Sequence, residues 1–160
     1  MIEVEVNIAG LEALLGRAIA LGADMTPITR ALAGVLADIP ERAFANQADP
    51  VTGQAWAPLK PSTVKRRGSA TPILQVSGHL AGSMQSESGP DFARVTTATV
   101  YAPTHQNGAK KGAFGSTKRG RPIPWGDIPA RRFLGVGPED EEELLQTASQ
   151  TLQRVLAGRG

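Results

Sequence analysis

Along the first residues of the chain, apolar Ile2, Val4, Val6 and Ile8 alternate with polar Glu3, Glu5 and Asn7, the period of a half-buried strand. From Gly10 the period becomes helical. Leu11, Leu14, Leu15, Ala18, Ile19 and Leu21 share one broad stripe, and Gly22 supplies a stop. Thr26-Pro27 reads as an N-cap followed by proline at the first helical position, opening a second helix with Ile28, Leu32, Val35, Leu36 and Ile39 inward. Pro40 falls within that pattern and predicts a kink or interruption, with helix continuing over Glu41 to Asn46.

From Ala48 to Pro72 the periodicity is lost, which predicts a long ordered loop with one short helical turn at PSTVKRR. Ile73, Leu74, Leu80 and Met84 are the next apolar anchors, and Ser77 is placed to cap a short helix. Phe92 to Tyr101 is rich in β-branched residues and predicts a strand, pairing with Met84 to Ser88 through a turn at Gly89-Pro90. Ala102 to Gly126 is the weakest stretch for regular structure: five glycines punctuate it and basic residues crowd between them, so mobility is expected, centred on residues 109–122. Pro138 starts a last helix whose acidic first turn suits the helix dipole, with Leu144, Leu145, Ala148, Leu152 and Val155 inward and a stop near Gly158. The sum is an α+β fold, helices packed on a small antiparallel sheet, in one domain spanning residues 1–160.

Composition narrows the chemistry. With 4% aromatic residues, the core must rely on smaller aliphatic side chains, so a monomer of modest stability is expected. A compact fold of this mass would expose about 7,600 Å². Cysteine is absent, which removes disulfides and thiol catalysis, and two histidines are too few for a zinc site without several carboxylates. MIEVEVNI has acidic residues where a signal peptide is basic, and no apolar run approaches a membrane span, so a soluble chain without a cleaved signal or membrane partner is expected.

The formal charge is only +2, but it is unevenly spread. Lys60, Lys65, Arg66, Arg67, Lys110, Lys111, Lys118, Arg119, Arg121, Arg131 and Arg132 precede an acidic block, Glu139 to Glu143. Opposite-sign surfaces on one chain allow head-to-tail contact between copies, although a dipolar monomer has the same pattern. Lys110, Lys111, Lys118, Arg119 and Arg121 are also candidate phosphate contacts, with Phe114 or Trp125 available to stack on bases. No RNA-binding or helix-turn-helix signature accompanies them, so solvated loop charges are the simpler reading. His79 and His105 lie in no nucleophile or metal spacing and read as ordinary loop or cap residues.

The stretch DPVTGQAWAPLKPSTVKRR raises a separate question, because Trp56 sits among chain breakers. Pro58 and Pro61 stiffen the backbone on both sides of Leu59. Trp56 and Leu59 therefore form an apolar pair that either closes the local core or docks on another molecule.

These residues carry a family resemblance. Pro50, Gly53, Trp56, Pro58, Leu59, Thr63 and Arg67 come first, then Leu74, Ser77, Gly78 and Leu80, then Tyr101, Ala102, His105 and Gly108, then Pro129, Ala130, Arg131, Phe133 and Leu134, between a helical N-terminal half and a final helix. In that order they resemble the phage virion morphogenesis family of tail completion proteins, over most of the chain. Arg132 departs from the proline expected at its position. The resemblance implies a non-enzymatic structural protein without a cofactor, present in the host cytoplasm during assembly and then in the virion at the tail or head–tail junction. It implies partners as well: further copies of the chain, with a hexameric ring among the forms allowed, tail tube or head–tail connector proteins, and room for DNA in the assembled channel. Trp56, Leu59, Arg67, Tyr101, His105, Arg131 and Phe133 are the assembly or loop-docking residues it suggests.

Overall fold

The computed structural model describes residue 2 and residues 8–158. The strand predicted at the N-terminus falls on residues 3–7, outside the described residues. Six helices and one hairpin follow: α1 (Ala9–Ala20), α2 (Thr26–Asn46), α3 (Pro61–Arg67), α4 (His79–Gly82), β1 (Met84–Ser88), β2 (Ala93–Thr97), α5 (Ala102–Asn107) and α6 (Pro138–Ala157). The fold is α+β, with helices against a two-stranded antiparallel sheet.

The spine is α2, because its two ends serve different cores. Toward its start, Ile28, Leu32 and Val35 pack with Leu14 and Ala18 of α1 and with Leu144 and Ala148 of α6. Toward its end, Ala43 and Phe44 pack with Trp56, Ile73, Leu80, Ala102, Phe133 and Leu134. Pro40 lies inside the helix without interrupting it. A proline there leaves the carbonyl one turn back without its donor and costs about 3 kcal/mol, but this ring is fully buried and its neighbours Ile39, Ala43 and Phe44 are all core residues. Tertiary burial outweighs the local penalty. Thr26 is the first helical residue rather than the cap, and the carboxylate of Asp24 accepts its N–H at 3.0 Å.

The hairpin lies against α2, tied by the Thr29 hydroxyl donating to the Gly89 carbonyl (2.6 Å) and by Ser86 donating to Ala33 (2.9 Å). Its strands pair from Met84 opposite Thr97 to Ser88 opposite Ala93. The second strand is shorter than the Phe92–Tyr101 run predicted. Past Thr97 hydroxyls replace the ladder: Thr97 Oγ1 accepts from the Thr99 N–H, and Ser83 Oγ joins Thr97 and Thr99 at 2.7 and 2.8 Å. Such local bonds compete with sheet pairing. Tyr101 then precedes α5, a helix within the stretch expected to be irregular, with a proline in its first turn.

At α6 the acidic block divides. The Asp140 carboxylate is buried, accepts the Gly137 N–H at 2.9 Å and pairs with Arg42, whereas Glu139, Glu141, Glu142 and Glu143 stay exposed. Among the described residues no helix is long and apolar enough to cross a membrane.

Candidate functional site

Of the assembly residues singled out in sequence, Trp56, Leu59, Tyr101, His105, Arg131 and Phe133 converge on one knot where three segments cross: 47–59, 101–108 and 128–135. Asp49 turns the first segment by accepting the Val51 N–H (2.8 Å), and Gly53, at φ +71°, closes the turn by donating to the Asp49 carbonyl. This aims Trp56 inward. Its ring, 6% exposed, meets Phe44 edge to face with centroids 5.5 Å apart, and Phe44 in turn packs on Phe133 at 5.4 Å. The indole N–H donates to the Arg132 carbonyl at 2.7 Å, so the polar end of the buried ring is satisfied across 76 residues of chain. Leu59 packs half-buried against the same cluster.

Arg131 crosses the knot in the other direction. Its guanidinium donates from Nε to the Ala57 carbonyl (2.8 Å) and from a terminal nitrogen to that of Pro58 (3.0 Å), and the side chain is buried. A fork of fixed donors suits two successive carbonyls, which proline-stiffened backbone holds in place. Burial away from water lowers its pKa from the ordinary arginine value. His105 is fastened through its carbonyl, which accepts the Arg131 N–H at 2.7 Å, and its buried Nδ1 has no partner among the described residues. Burial first, and the Arg131 charge second, push the imidazole pKa below its usual value, favouring the neutral ring. Tyr101 is exposed and stacks edge to face on His105 at 5.7 Å.

Gln106 completes the knot and gave no signal in the sequence. Its amide oxygen accepts the N–H groups of Phe133 (3.0 Å) and Leu134 (3.1 Å), and its nitrogen donates to the Leu134 carbonyl (2.5 Å). Gln47 and Gln75 act alike, bonding the Ile73 N–H and the Phe44 carbonyl. An amide in a polar turn looks the same in sequence whether it faces water or a buried backbone. Gly108, at φ +73°, allows α5 to end against residues 128–130: a Cβ there would lie 2.7 Å from the Ile128 oxygen and 2.8 Å from the Ala130 nitrogen. Arg67 stands apart at the end of α3, donating to the Pro72 carbonyl, and Arg132 lies 3.7 Å from Asp49.

The five candidate phosphate contacts lie elsewhere, on an arm formed by residues 109–127. Ala109 and Ile128 exchange backbone bonds at its base, Gly112 bonds to Pro124, Phe114 to Ile123, and Thr117 to Arg121 toward its tip. The Asp127 carboxylate accepts the Lys111 N–H, and Lys60 reaches the Asp127 carbonyl from α3's approach. None of residues 109–127 belongs to either core cluster. Phe114 is 57% and Trp125 70% exposed, and Arg121 lies over the Trp125 ring, 5.7 Å from its centroid. Lys110, Lys111, Lys118 and Arg119 are exposed too, and none of the five cations forms an ion pair among the described residues.

The described residues hold no group of three or more metal-ligating side chains. What the site does is fix three crossing segments and, at its edge, hold out an arm. Residues 6–153 match the pattern of the phage virion morphogenesis family. The chain belongs to that family. Its relatives include protein G of Escherichia phage Mu, named for capsid assembly, 32% identical over 81% of this chain and 80% of its own length. Mu-like prophage FluMu G protein 2 of Haemophilus influenzae is 33% identical over 98% of this chain and 99% of its own, and FluMu G protein 1 is 31% identical over 82% of each. No solved structure matches the chain significantly. Virion morphogenesis is the process to which membership of this family assigns the chain.

Proposed function

We propose that the protein is a non-enzymatic structural subunit that completes the phage tail or joins it to the head, working as an oligomer in ring form. The observation that carries this reading is the arm, whose Trp125 and Phe114 stand in solvent on a backbone anchored at its base to the knot. A large aromatic held out in this way gains its free energy when a partner covers it. Head-to-tail contact closing by rotation gives a ring from identical subunits.

The test is a phage or prophage from which the gene is deleted. Filled heads and free tails should accumulate side by side in electron micrographs, and antibody raised against the protein should mark the tail end in complete particles. Normal joined virions without the gene would exclude the role.

A further inference from the structure

Two surfaces of this chain each carry a cluster of like charges that forms no ion pair among the described residues, with Asp127 as the one carboxylate on the basic arm. On α6, Glu139, Glu142 and Glu143 fall within one arc of the helix at three- and four-residue spacing, opposite the face that buries Asp140, Leu144, Ala148 and Thr151. Like charges so placed repel one another, and no cation pairs with them among the described residues. On the arm, Lys110, Lys111, Lys118, Arg119 and Arg121 are equally unpaired around exposed Trp125 and Phe114. At the foot of the acidic face is a cleft of about 640 Å³ whose lining combines Pro50, Val51, Ala55 and Pro138 with Glu139, Asp49 and the Arg42–Asp140 ion pair.

We propose that the arm of one copy docks on the exposed acidic face of α6 in a second copy, with Trp125 seated in the cleft beside Pro138. The proposal rests on the self-associating subunit described above and assigns the surfaces that subunit uses. The contact is heterologous: each copy offers an arm and receives one, so it propagates and can close. A second copy is favoured over nucleic acid because the matching acidic surface is in the same chain, unpartnered, and because an overall charge of +2 gives only weak general attraction to a polyanion. The charges set register and the rate of encounter, while the aromatic supplies most of the hold.

Three variants of the full chain test this by sedimentation at rising concentration: Lys118→Glu/Arg119→Glu/Arg121→Glu on the arm, Glu139→Lys/Glu142→Lys/Glu143→Lys on α6, and the two sets combined, which keeps the native net charge. Each set alone should weaken association at least tenfold, and the combination should restore it, which also shows that both sets fold. Trp125→Ser, on an exposed loop, should weaken association with an unchanged circular dichroism spectrum. If the native protein associates and neither set matters, the subunit reading survives and this surface assignment falls. If the native protein stays monomeric at every concentration, the self-associating reading fails and this one with it. Failure of the combined set to restore association also overturns the proposal. So does an arm set that leaves association intact while abolishing salt-sensitive binding to a 30-base-pair duplex, which would give the cations to nucleic acid.

Discussion

The chain's two tryptophans sit in two loops of similar composition and opposite fate. Residues 47–60 and 109–127 are both punctuated by proline and glycine, both lack helical or strand periodicity, and both contain lysine. Trp56 is 6% exposed and Trp125 70%. The difference lies in what each loop finds across the chain. The first meets Phe44 and Phe133 for its ring, the Arg132 carbonyl for its indole N–H, and Arg131 for two of its own carbonyls. The second bonds largely to itself, and its tryptophan lies in solvent under Arg121. Proline and glycine make a loop stiff or tight; burial comes from distant partners that satisfy its backbone and polar ends.

The comparison breaks most visibly at Trp56. Trp56→Ala should destabilise the fold by about 3–5 kcal/mol, the range for deleting a buried large aromatic, with an added contribution from the orphaned Arg132 carbonyl. Urea denaturation at low protein concentration measures it. A loss below about 1 kcal/mol, with association abolished, would move Trp56 from core to interface and erase the contrast between the loops.

Much of the fold is legible in the sequence. The stripe Ile28, Leu32, Val35 and Ile39 placed α2, the acidic turn after Pro138 placed α6, and Gly89-Pro90 between β-forming runs placed the hairpin. The knot was legible only as separate motifs. Sequence spacing names Trp56 and Arg131, but it cannot show that the indole needs the Arg132 carbonyl or that Gln106 holds Phe133 and Leu134, because those bonds span 76, 28 and 27 residues. At Pro40 the helix continues to Asn46 as the pattern predicts, without interruption; α5 departs from expectation, because a polar, proline-bearing stretch predicts irregularity unless tertiary burial intervenes. The arm's pairing escapes pattern reading because it rests on scattered backbone bonds, among them Gly112 to Pro124 and Phe114 to Ile123, that no run of side-chain alternation records.

A smaller effect should come from His105, and its sign follows from the neutral ring's preference for the knot. The folded pKa lies below that of the unfolded chain, which is about 6.5. Below that pH the unfolded state binds more protons, so stability is complete above it and is lost as pH falls from there through the folded pKa. Denaturation midpoints between pH 7.5 and 5 should decline, and His105→Gln should flatten the decline. A native protein more stable at pH 5 than at 7.5, with that gain removed by the variant, would mean that the buried ring is protonated and has a partner for its Nδ1.

The smallest effect is expected at the other tryptophan. Trp125→Ala removes a ring in neither core cluster, whose contact with Arg121 is an exposed cation–π pair worth about 0.5–1 kcal/mol at most. Part of even that returns when the freed guanidinium is hydrated, so the change in stability of the isolated chain should stay within about 0.5 kcal/mol, measured at a concentration low enough that partner contacts do not contribute. A loss of 2 kcal/mol or more there would mean that the arm is bound into its own fold. The two loops would then be alike, and Trp125 would no longer stand free for a partner to cover.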